Sequence, residues 1–221
     1  MSKRGYLCKI APNPAPALSP GALSVGAFLR QEWSPSQVVH KIMIIRHAEK
    51  HQHGSHGLAV TEDGRPSSHE LTVRGWQRAG ALVQLFASGS ARSKASAIQT
   101  PRAIFASDAT KQSPSLRAMH TAAPLAAQLG IAVNHDYADG EEDGLVSAVL
   151  AAPSPVLIVW HHGHISRLAR KIGGDQIACP AQWPEDRFDV VWILEGGGAH
   201  GGWRFMQIAQ CLLPDDCPDV L

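Results

Sequence analysis

The stretch Lys41-Ile42-Met43-Ile44-Ile45-Arg46-His47-Ala48-Glu49-Lys50 decides the fold of this 221-residue chain. Its four consecutive apolar residues show no alternation with polar ones, and three of the four are isoleucines. Such a run predicts a strand that is buried on both faces, as in a parallel sheet. Ligands of open α/β sheets bind at the carboxyl ends of the strands. The Arg-His pair that follows the run therefore predicts an anion site that holds a nucleophile or a proton carrier.

The rest of the chain supplies matching parts. A second buried-strand run, Pro155-Val156-Leu157-Ile158-Val159-Trp160, leads into His161-His162-Gly163-His164. Between the two runs, Ser113-Pro114 predicts a helix start, with Ser as the cap and Pro at the first helical position. This start places Arg117 in the second turn of the helix. Because helix and strand patterns alternate through most of the chain, we expect a parallel-rich sheet with helices on both faces.

The composition excludes several classes of partner. A net charge of +1 gives no broad basic field, so we expect neither nucleic acid nor a membrane surface as a partner. No apolar run approaches the length of a membrane-spanning helix. The four cysteines show no CxxC spacing, which favours a reduced, cytoplasmic setting.

Four motifs in this order resemble those of the histidine phosphatase superfamily, which includes the phosphoglycerate mutase-like enzymes and the short phosphohistidine phosphatases. The family's first motif, an Arg-His-Gly or Arg-His-Ala after a strand, matches Arg46-His47-Ala48. Its Leu-Thr-x-x-Gly helix start matches residues 71–79, and its Arg-Ala-x-x-Thr-Ala motif matches residues 117–122. Its second histidine, after an apolar strand, falls at His161 or His162. The resemblance covers about residues 38–213.

The resemblance implies a three-layer α/β/α sandwich with a mostly parallel central sheet, of the phosphoglycerate mutase-like kind. Residues 38–213 would form this domain, residues 1–37 a Pro-rich and loosely ordered arm, and residues 214–221 a tail. The implied activity is that of a phosphatase that hydrolyses a phosphate monoester, on a small molecule or a phosphoprotein, with no metal and no organic cofactor. A catalytically weak or inactive phosphate-binding protein of the same fold is the alternative. The sequence leaves the substrate and the oligomeric state open.

The resemblance also assigns roles to residues of the predicted site. His47 would be the nucleophile, because a neutral imidazole with an unperturbed pKa of ~6.5 has a free lone pair at pH 7 and can form a phosphohistidine. Arg46 and Arg117 would clamp the phosphate, since guanidinium groups match its oxygens bidentately. One family spacing puts the second histidine at His161 and another puts it at His162. We assign the role of hydrogen-bond donor to the phosphoryl oxygens to His162, with His161 as the alternative.

The general acid that protonates the leaving group is a carboxylate in most such enzymes. The segment Asp139-Gly140-Glu141-Glu142-Asp143 precedes a predicted helix and offers Glu142 as a candidate. Glu49, beside the first motif, is a second candidate.

A rival signal lies in the loop after the first strand. His51, His53 and His56 have a spacing that can hold zinc, although the Asp of the His-x-His-x-Asp-His di-zinc hydrolases is missing. A metal-dependent hydrolase built on these histidines is therefore the second alternative function, while lining a polar substrate mouth is the simpler role for them.

Overall fold

The computed structural model of the chain describes residues 40–51, 57–87, 97–196 and 202–221. The predicted arm, residues 1–37, lies outside these ranges, so its assignment stays a prediction. The strands are β1 (His40–Arg46), β2 (Ala103–Ala106), β3 (Val133–Asn134), β4 (Val156–Trp160), β5 (Val190–Gly196) and β6 (Trp203–Ala209). The helices are α1 (Val73–Ala87), α2 (Arg117–Leu129), α3 (Glu142–Ala151) and α4 (His162–Gly173).

The six strands of the described residues form one mixed sheet in the order β3-β2-β4-β1-β5-β6. Strand β1 pairs in parallel with β4, from Ile42 opposite Val156 to Arg46 opposite Trp160. Strand β2 is also parallel to its neighbours β4 and β3, whereas β5 and β6 run antiparallel to theirs. The predicted, mostly parallel sheet is thus confirmed, and the antiparallel hairpin is appended to one edge.

Alternate residues of β1 enter two separate hydrophobic cores, one on each face of the sheet. Ile42 and Ile44 pack in the core that α3 and α4 cover, whereas Met43 and Ile45 pack in the core that α1 and α2 cover. All four side chains are fully buried. This explains why the strand shows no polar alternation, and it confirms the predicted three-layer arrangement.

The predicted helices form, with shifted starts. Helix α2 begins at Arg117 instead of Ser113, so Arg117 lies in its first turn and not in its second. Helix α1 follows Thr72, whose hydroxyl accepts a hydrogen bond from the Gly75 N–H at 3.1 Å, which is the geometry of an N-cap. None of the helices in the described ranges combines the length and apolar character needed to cross a bilayer.

The predicted tail, residues 214–221, packs against the domain. Asp216 is 2% exposed and its carboxylate lies 2.6 Å from the guanidinium of Arg78 in α1. The Gln207 side chain bonds both the N–H and the C=O of Leu221. These contacts fix the segment after β6 beside the first helix.

Candidate active site

The carboxyl ends of β1 and β4 bring two histidines together. Because the two strands are adjacent and parallel, the residues that follow them emerge side by side, and the His47 N–H donates to the Trp160 carbonyl at 3.1 Å. The ring centroids of His47 and His161 are 5.5 Å apart, with the rings inclined by 71°. The sequence therefore places one imidazole edge-on against another at the end of the sheet where ligands bind.

His47 is held as a neutral base with one defined free nitrogen. Its side chain is 1% exposed, and Nδ1 lies 2.7 Å from the Ala48 carbonyl oxygen. A carbonyl only accepts hydrogen bonds, so Nδ1 carries the proton and Nε2 keeps its lone pair. Burial and then the charge of Arg46 lower the pKa of His47 well below its ordinary value. The geometry supplies an unprotonated nitrogen nucleophile at neutral pH.

Arg46 is anchored on one side and unengaged on the other. Its Nη1 donates to the carbonyl oxygens of Pro184 (3.2 Å), Glu185 (2.6 Å) and Arg187 (3.1 Å). The guanidinium carbon lies 3.8 Å from the centroid of the Phe188 ring, a cation–π contact. Nε and Nη2 are buried and make no hydrogen bond within the part of the chain that the structure describes. Burial lowers the pKa of Arg46 to about 9, so the group is still a cation at neutral pH.

Arg117 supplies a second cation, and its Nε is buried. Its Nη1 donates to the Ser68 carbonyl at 3.0 Å, whereas its buried Nε has no hydrogen-bond partner among the described residues. Burial lowers the pKa of Arg117, and its charge in turn lowers the pKa of both Arg46 and His47. The pKa of Lys50 is lowered by burial and then by both guanidinium groups. This convergence of positive charge around an imidazole favours a bound anion such as a phosphate dianion.

The two candidate second histidines lie on different sides of the site. The ring of His161 lies against His47, and burial lowers its pKa although Asp139 opposes the shift. His162 begins helix α4, and its Nε2 lies 3.5 Å from a carboxylate oxygen of Glu185. Burial, followed by the charge of Arg46, lowers the pKa of His162 to about 4. His161 is thus the histidine that contacts His47, and the choice of His162 as the donor to the phosphoryl oxygens stays a prediction.

Both carboxylates chosen from the sequence as candidate acids are engaged elsewhere. Glu49 is buried, and its oxygens receive hydrogen bonds from Arg78 at 2.7–3.1 Å and from Arg74 at 3.2 Å. Glu142 is fully buried, and its Oε1 is bonded by His164 at 2.8 Å and by the Gly140 N–H at 3.0 Å. An ion-paired or enclosed carboxylate exchanges a proton with a substrate less readily, so these contacts favour a structural role for Glu49 and Glu142.

Asp139 is a carboxylate at the site that the sequence reasoning did not single out. It is the acidic residue whose charge acts on His161, and its side chain is 32% exposed. Asp139 lies in the acidic segment 139–143, but the sequence pattern does not indicate which of its carboxylates lies near the two histidines. Phe188, which stacks on Arg46, was also missed, because nothing in the local sequence marks it.

Of the three histidines in the loop after β1, the structure describes His51. His51 is exposed, and its Nδ1 lies 2.8 Å from the Gly57 carbonyl oxygen. His53 and His56 fall outside the described ranges, so the proposed zinc cluster stays untested. Within those ranges, the His, Cys, Asp and Glu side chains that approach metal-ligand spacing are Asp139, Glu142 and His164.

A cavity of about 350 Å³ adjoins the site behind Phe188. Its lining consists of Glu49, Arg74, Arg78, Asp186, Phe188, Asp189, Asp215 and Asp216. The ring of Phe188 also lies 6.2 Å from that of His47, centroid to centroid. The cavity therefore shares Phe188 with the surroundings of His47, and neither His47 nor His161 lines it.

Comparisons with known proteins find similarity at the level of structure alone. No protein-family model matches the chain, and no curated protein matches it. Among solved structures, the chain is similar to a protein named Mycobacterial hydrolase 1, with 16% identity, a TM-score of 0.49, and coverage of 76% of this chain and 96% of that one. It is also similar to a mycobacterial glucosyl-3-phosphoglycerate phosphatase in complex with VO3, with 16% identity, a TM-score of 0.47, and coverage of 76% and 97%.

Proposed function

We propose that this chain is a phosphatase of the histidine phosphatase superfamily, which hydrolyses a phosphate monoester on a small molecule or a phosphoprotein through a phosphohistidine on His47. The observation that carries the proposal is the buried His47 imidazole, whose Nδ1 is tied to the Ala48 carbonyl, beside the unengaged donors of Arg46 and Arg117. A nucleophile with one free nitrogen and two guanidinium groups with unused N–H donors match the two needs of phosphoryl transfer.

Substrate binding uses donors that the described residues leave unbonded. The phosphate oxygens accept hydrogen bonds from Nε and Nη2 of Arg46 and from Nε of Arg117, which are buried and have no hydrogen-bond partner among those residues. Burial makes these bonds stronger than in water, because the low local dielectric screens the charges less. We assign to His161 the role of an additional hydrogen-bond donor to a phosphoryl oxygen, from its position against His47.

The first chemical step transfers the phosphoryl group to His47. The Nε2 lone pair attacks phosphorus, an N–P bond forms, and the bond between phosphorus and the leaving oxygen breaks. The electron pair of that bond goes to the leaving oxygen, which takes a proton from the carboxyl group of Asp139. We assign this role to Asp139 because its charge acts on His161 and its side chain is partly exposed, whereas Glu49 and Glu142 are enclosed.

The second step restores the enzyme. The Asp139 carboxylate removes a proton from a water molecule, whose oxygen attacks phosphorus. The N–P bond breaks, its electron pair returns to Nε2, and inorganic phosphate leaves. The same side chain thus acts as an acid and then as a base, which balances the protons over one turnover.

The test is turnover of p-nitrophenyl phosphate in the presence of EDTA, for wild type, His47→Ala and His51→Ala. We expect wild-type activity to survive EDTA, His47→Ala to abolish it, and His51→Ala to retain it. Acid-labile labelling of wild type by a radioactive phosphate donor, absent in His47→Ala, would support the covalent intermediate. Activity that EDTA or His51→Ala abolishes would overturn the proposal in favour of the metal-dependent hydrolase.

A second outcome distinguishes the binding-protein alternative. If the wild type binds vanadate but turns over neither p-nitrophenyl phosphate nor a panel of phosphate monoesters, the chain is a phosphate-binding member of the same fold. Asp139→Asn provides the comparison. If the wild type is an active enzyme, this variant should bind vanadate and lose turnover.

A further inference from the structure

Asp139 is the outermost of three side chains in contact, followed by His164 and then by the buried Glu142. Nδ1 of His164 lies 2.8 Å from Oδ1 of Asp139 and, equally, 2.8 Å from Oε1 of Glu142. Glu142 is fully buried, whereas Asp139 and His164 are each about one-third exposed, at 32% and 34%. A single imidazole therefore joins a buried carboxylate to the carboxylate at the edge of the active site.

Several independent contacts hold Glu142, the buried member of the three. Oε1 of Glu142 also accepts the Gly140 N–H at 3.0 Å, and its Oε2 lies 3.4 Å from an Nη of Arg167. Burial works against the charged form of Glu142, but the hydrogen bonds from His164 and Gly140 lower its pKa below the ordinary value. Glu142 is therefore an anion that only accepts hydrogen bonds, and this holds the proton of His164 on Nδ1.

The backbone around Asp139 is fixed by the same residues. Asp139 is followed by Gly140, which adopts a φ of +97°, and the turn leads directly into α3 at Glu142. The Ala138 N–H donates to the Glu141 side chain at 2.8 Å, and the Gly140 N–H donates to Glu142. Backbone hydrogen bonds thus hold both neighbours of Asp139, and His164 determines the direction of its carboxylate.

We propose that His164, oriented by the buried Glu142, is a positioning residue that aims the Asp139 carboxyl group at the leaving oxygen of the substrate. This inference rests on the proposed phosphatase function and extends it, because neither His164 nor Glu142 touches the substrate. Oδ1 of Asp139 lies 2.8 Å from Nδ1 of His164, so Oδ2 is the oxygen that exchanges the proton. As Asp139 loses its proton, the N–H of His164 stabilises the carboxylate that forms.

The same three side chains approach the spacing of a metal site, but their surroundings favour the hydrogen-bonded arrangement. Nδ1 of His164 makes a hydrogen bond to Glu142 and lies at ion-pair distance from Asp139, and the Arg167 guanidinium, a cation, lies 3.4 Å from Glu142 Oε2. A divalent ion would have to displace the His164 proton and approach this guanidinium. The experiment below includes metal dependence as an outcome that would overturn the proposal.

The experiment compares kcat/KM for phenyl phosphate, which needs an acid, with that for 2,4-dinitrophenyl phosphate, whose leaving group departs without one. This parameter covers substrate binding and the transfer to His47, and it does not include the later hydrolysis of the phosphohistidine. Because general acid catalysis contributes about 10²–10⁴-fold, we expect His164→Ala to lower the phenyl phosphate value by about 10–100-fold. With the activated ester, we expect little change.

Three further variants distinguish a loss of the positioning role from a loss of folding. In His164→Asn, the side-chain amide can replace Nδ1–H, so we expect most of the phenyl phosphate activity to return. His135→Ala removes a comparable but exposed histidine–carboxylate pair, with Asp108 at 3.2 Å, and should change neither substrate's kcat/KM. Glu142→Gln should behave like a milder His164→Ala, since a neutral amide orients the imidazole less strongly.

The outcomes are distinguishable from failure of the phosphatase proposal itself. An equal loss on both esters for His164→Ala, or no recovery in His164→Asn despite an unchanged melting temperature, would overturn the positioning role while leaving the phosphohistidine intact. A fall in the wild-type kcat/KM for phenyl phosphate on addition of EDTA would show that Asp139, Glu142 and His164 hold a metal ion, and it would overturn the positioning role. Absence of phosphohistidine labelling in wild type would instead remove the function on which the inference rests.

Discussion

The hydroxyl group of Thr121 accepts a hydrogen bond from the backbone N–H of Ala48 at 2.8 Å, and both residues are buried. The same hydroxyl donates to the Arg117 carbonyl oxygen, one helical turn earlier, at 2.7 Å. One side chain thereby ties the loop that follows the nucleophile to the helix that carries the second guanidinium. The distance between the imidazole of His47 and the side chain of Arg117 depends on this connection.

Replacing Thr121 by valine should therefore affect both folding and catalysis. The isosteric change leaves the Ala48 N–H buried without an acceptor, which costs about 1–3 kcal/mol of unfolding free energy. We expect kcat/KM for p-nitrophenyl phosphate to fall with it, as the clamp and the nucleophile lose their common support. Thr121→Ser keeps the hydroxyl and should retain most of the activity. Equal losses in the two variants would show that the methyl group, and not the hydrogen bond, matters.

His47 should remain neutral well into the acid range. Burial and Arg46 lower its pKa, so its ring should not take up a proton as the pH falls through 6.5, and the Nδ1–H tautomer should persist. Long-range ¹H–¹⁵N NMR spectra of the imidazoles over pH 8 to 5 measure both properties. A protonated Nε2, or a titration of His47 near pH 6.5, would contradict the nucleophile geometry. The folded protein should also lose stability as the pH falls below 6.5, because the unfolded chain then binds a proton that the folded His47 does not.

Vanadate binding should depend on Arg117. Removing a buried, charge-assisted donor typically costs 2 kcal/mol or more, so Arg117→Ala should weaken vanadate binding by about 30-fold or more. The stabilisation of wild type by vanadate, measured as a thermal shift and worth about 2.7 kcal/mol at 100 times its Kd, should then fall to about 0.9 kcal/mol or less in the variant at the same vanadate concentration. Arg102→Ala removes an exposed arginine and should preserve the shift. A full shift in Arg117→Ala would exclude this residue from the anion site.

Two glycines of α1 offer a matched pair of substitutions. A Cβ on Gly75 would meet the Glu49 carbonyl oxygen at 2.5 Å, whereas a Cβ on Gly80 would meet nothing within 4 Å. Gly75→Ala must displace the helix from the loop after His47, at about 1–3 kcal/mol, and should lower kcat/KM as well. Gly80→Ala should stabilise the helix by about 1 kcal/mol with unchanged activity. Chemical denaturation and steady-state kinetics on both variants check this, and an active, stable Gly75→Ala protein would contradict the close approach.

The buried cluster around Arg78 should contribute much more to stability than a surface ion pair. Arg78→Met leaves Glu49 and Asp216, each 2% exposed, with only the more exposed Arg74 as a shared cation, at a cost of about 3–5 kcal/mol. Arg65→Met breaks an exposed pair with Asp63 and should change stability by at most about 1 kcal/mol. Urea denaturation of the two variants measures the difference, and similar losses would refute the buried-cluster argument.

The cost of Arg78→Met should also depend on pH in a defined direction. Burial raises the pKa of Asp216, but the hydrogen bond from Arg78 outweighs burial and lowers it to about 2. A depressed acid pKa stabilises the folded state above the unfolded value and loses this effect as the pH falls through the folded value. The stability difference between wild type and Arg78→Met should therefore shrink as the pH is lowered from about 4 toward 2.

The sequence was sufficient for the parts of the protein that local patterns encode. The unbroken apolar runs of β1 and β4 predicted strands buried on both faces, and Arg46, His47 and Arg117 do converge at the strand ends. The sequence leaves the choice between His161 and His162 open because it depends on the backbone direction where β4 ends and α4 begins. One residue of offset at such a junction reverses which side chain faces the site, and no composition or spacing records it.

The identity of the acid was beyond local patterns for a different reason. Glu49 looks like a site residue because it follows His47, yet its carboxylate is bound by Arg78, 29 positions later. Glu142 has the position of an exposed acid at a helix start, yet it is buried and accepts a hydrogen bond from His164, 22 positions later. Partners at such separations are brought together only by the packed fold.

The pairing of Arg78 with Asp216, 138 positions apart, has a consequence for how the protein is made. A ribosome releases the chain from its beginning, so the strand with the nucleophile and the first helix emerge long before the acid that completes their ion cluster. Until Asp216 leaves the exit tunnel, Arg78 has only part of its counter-charge, and the loop after His47 lacks one of its supports. Strand β1 and helix α1 are synthesised before the other elements of the sheet, yet their surroundings should be among the last to reach their final conformation.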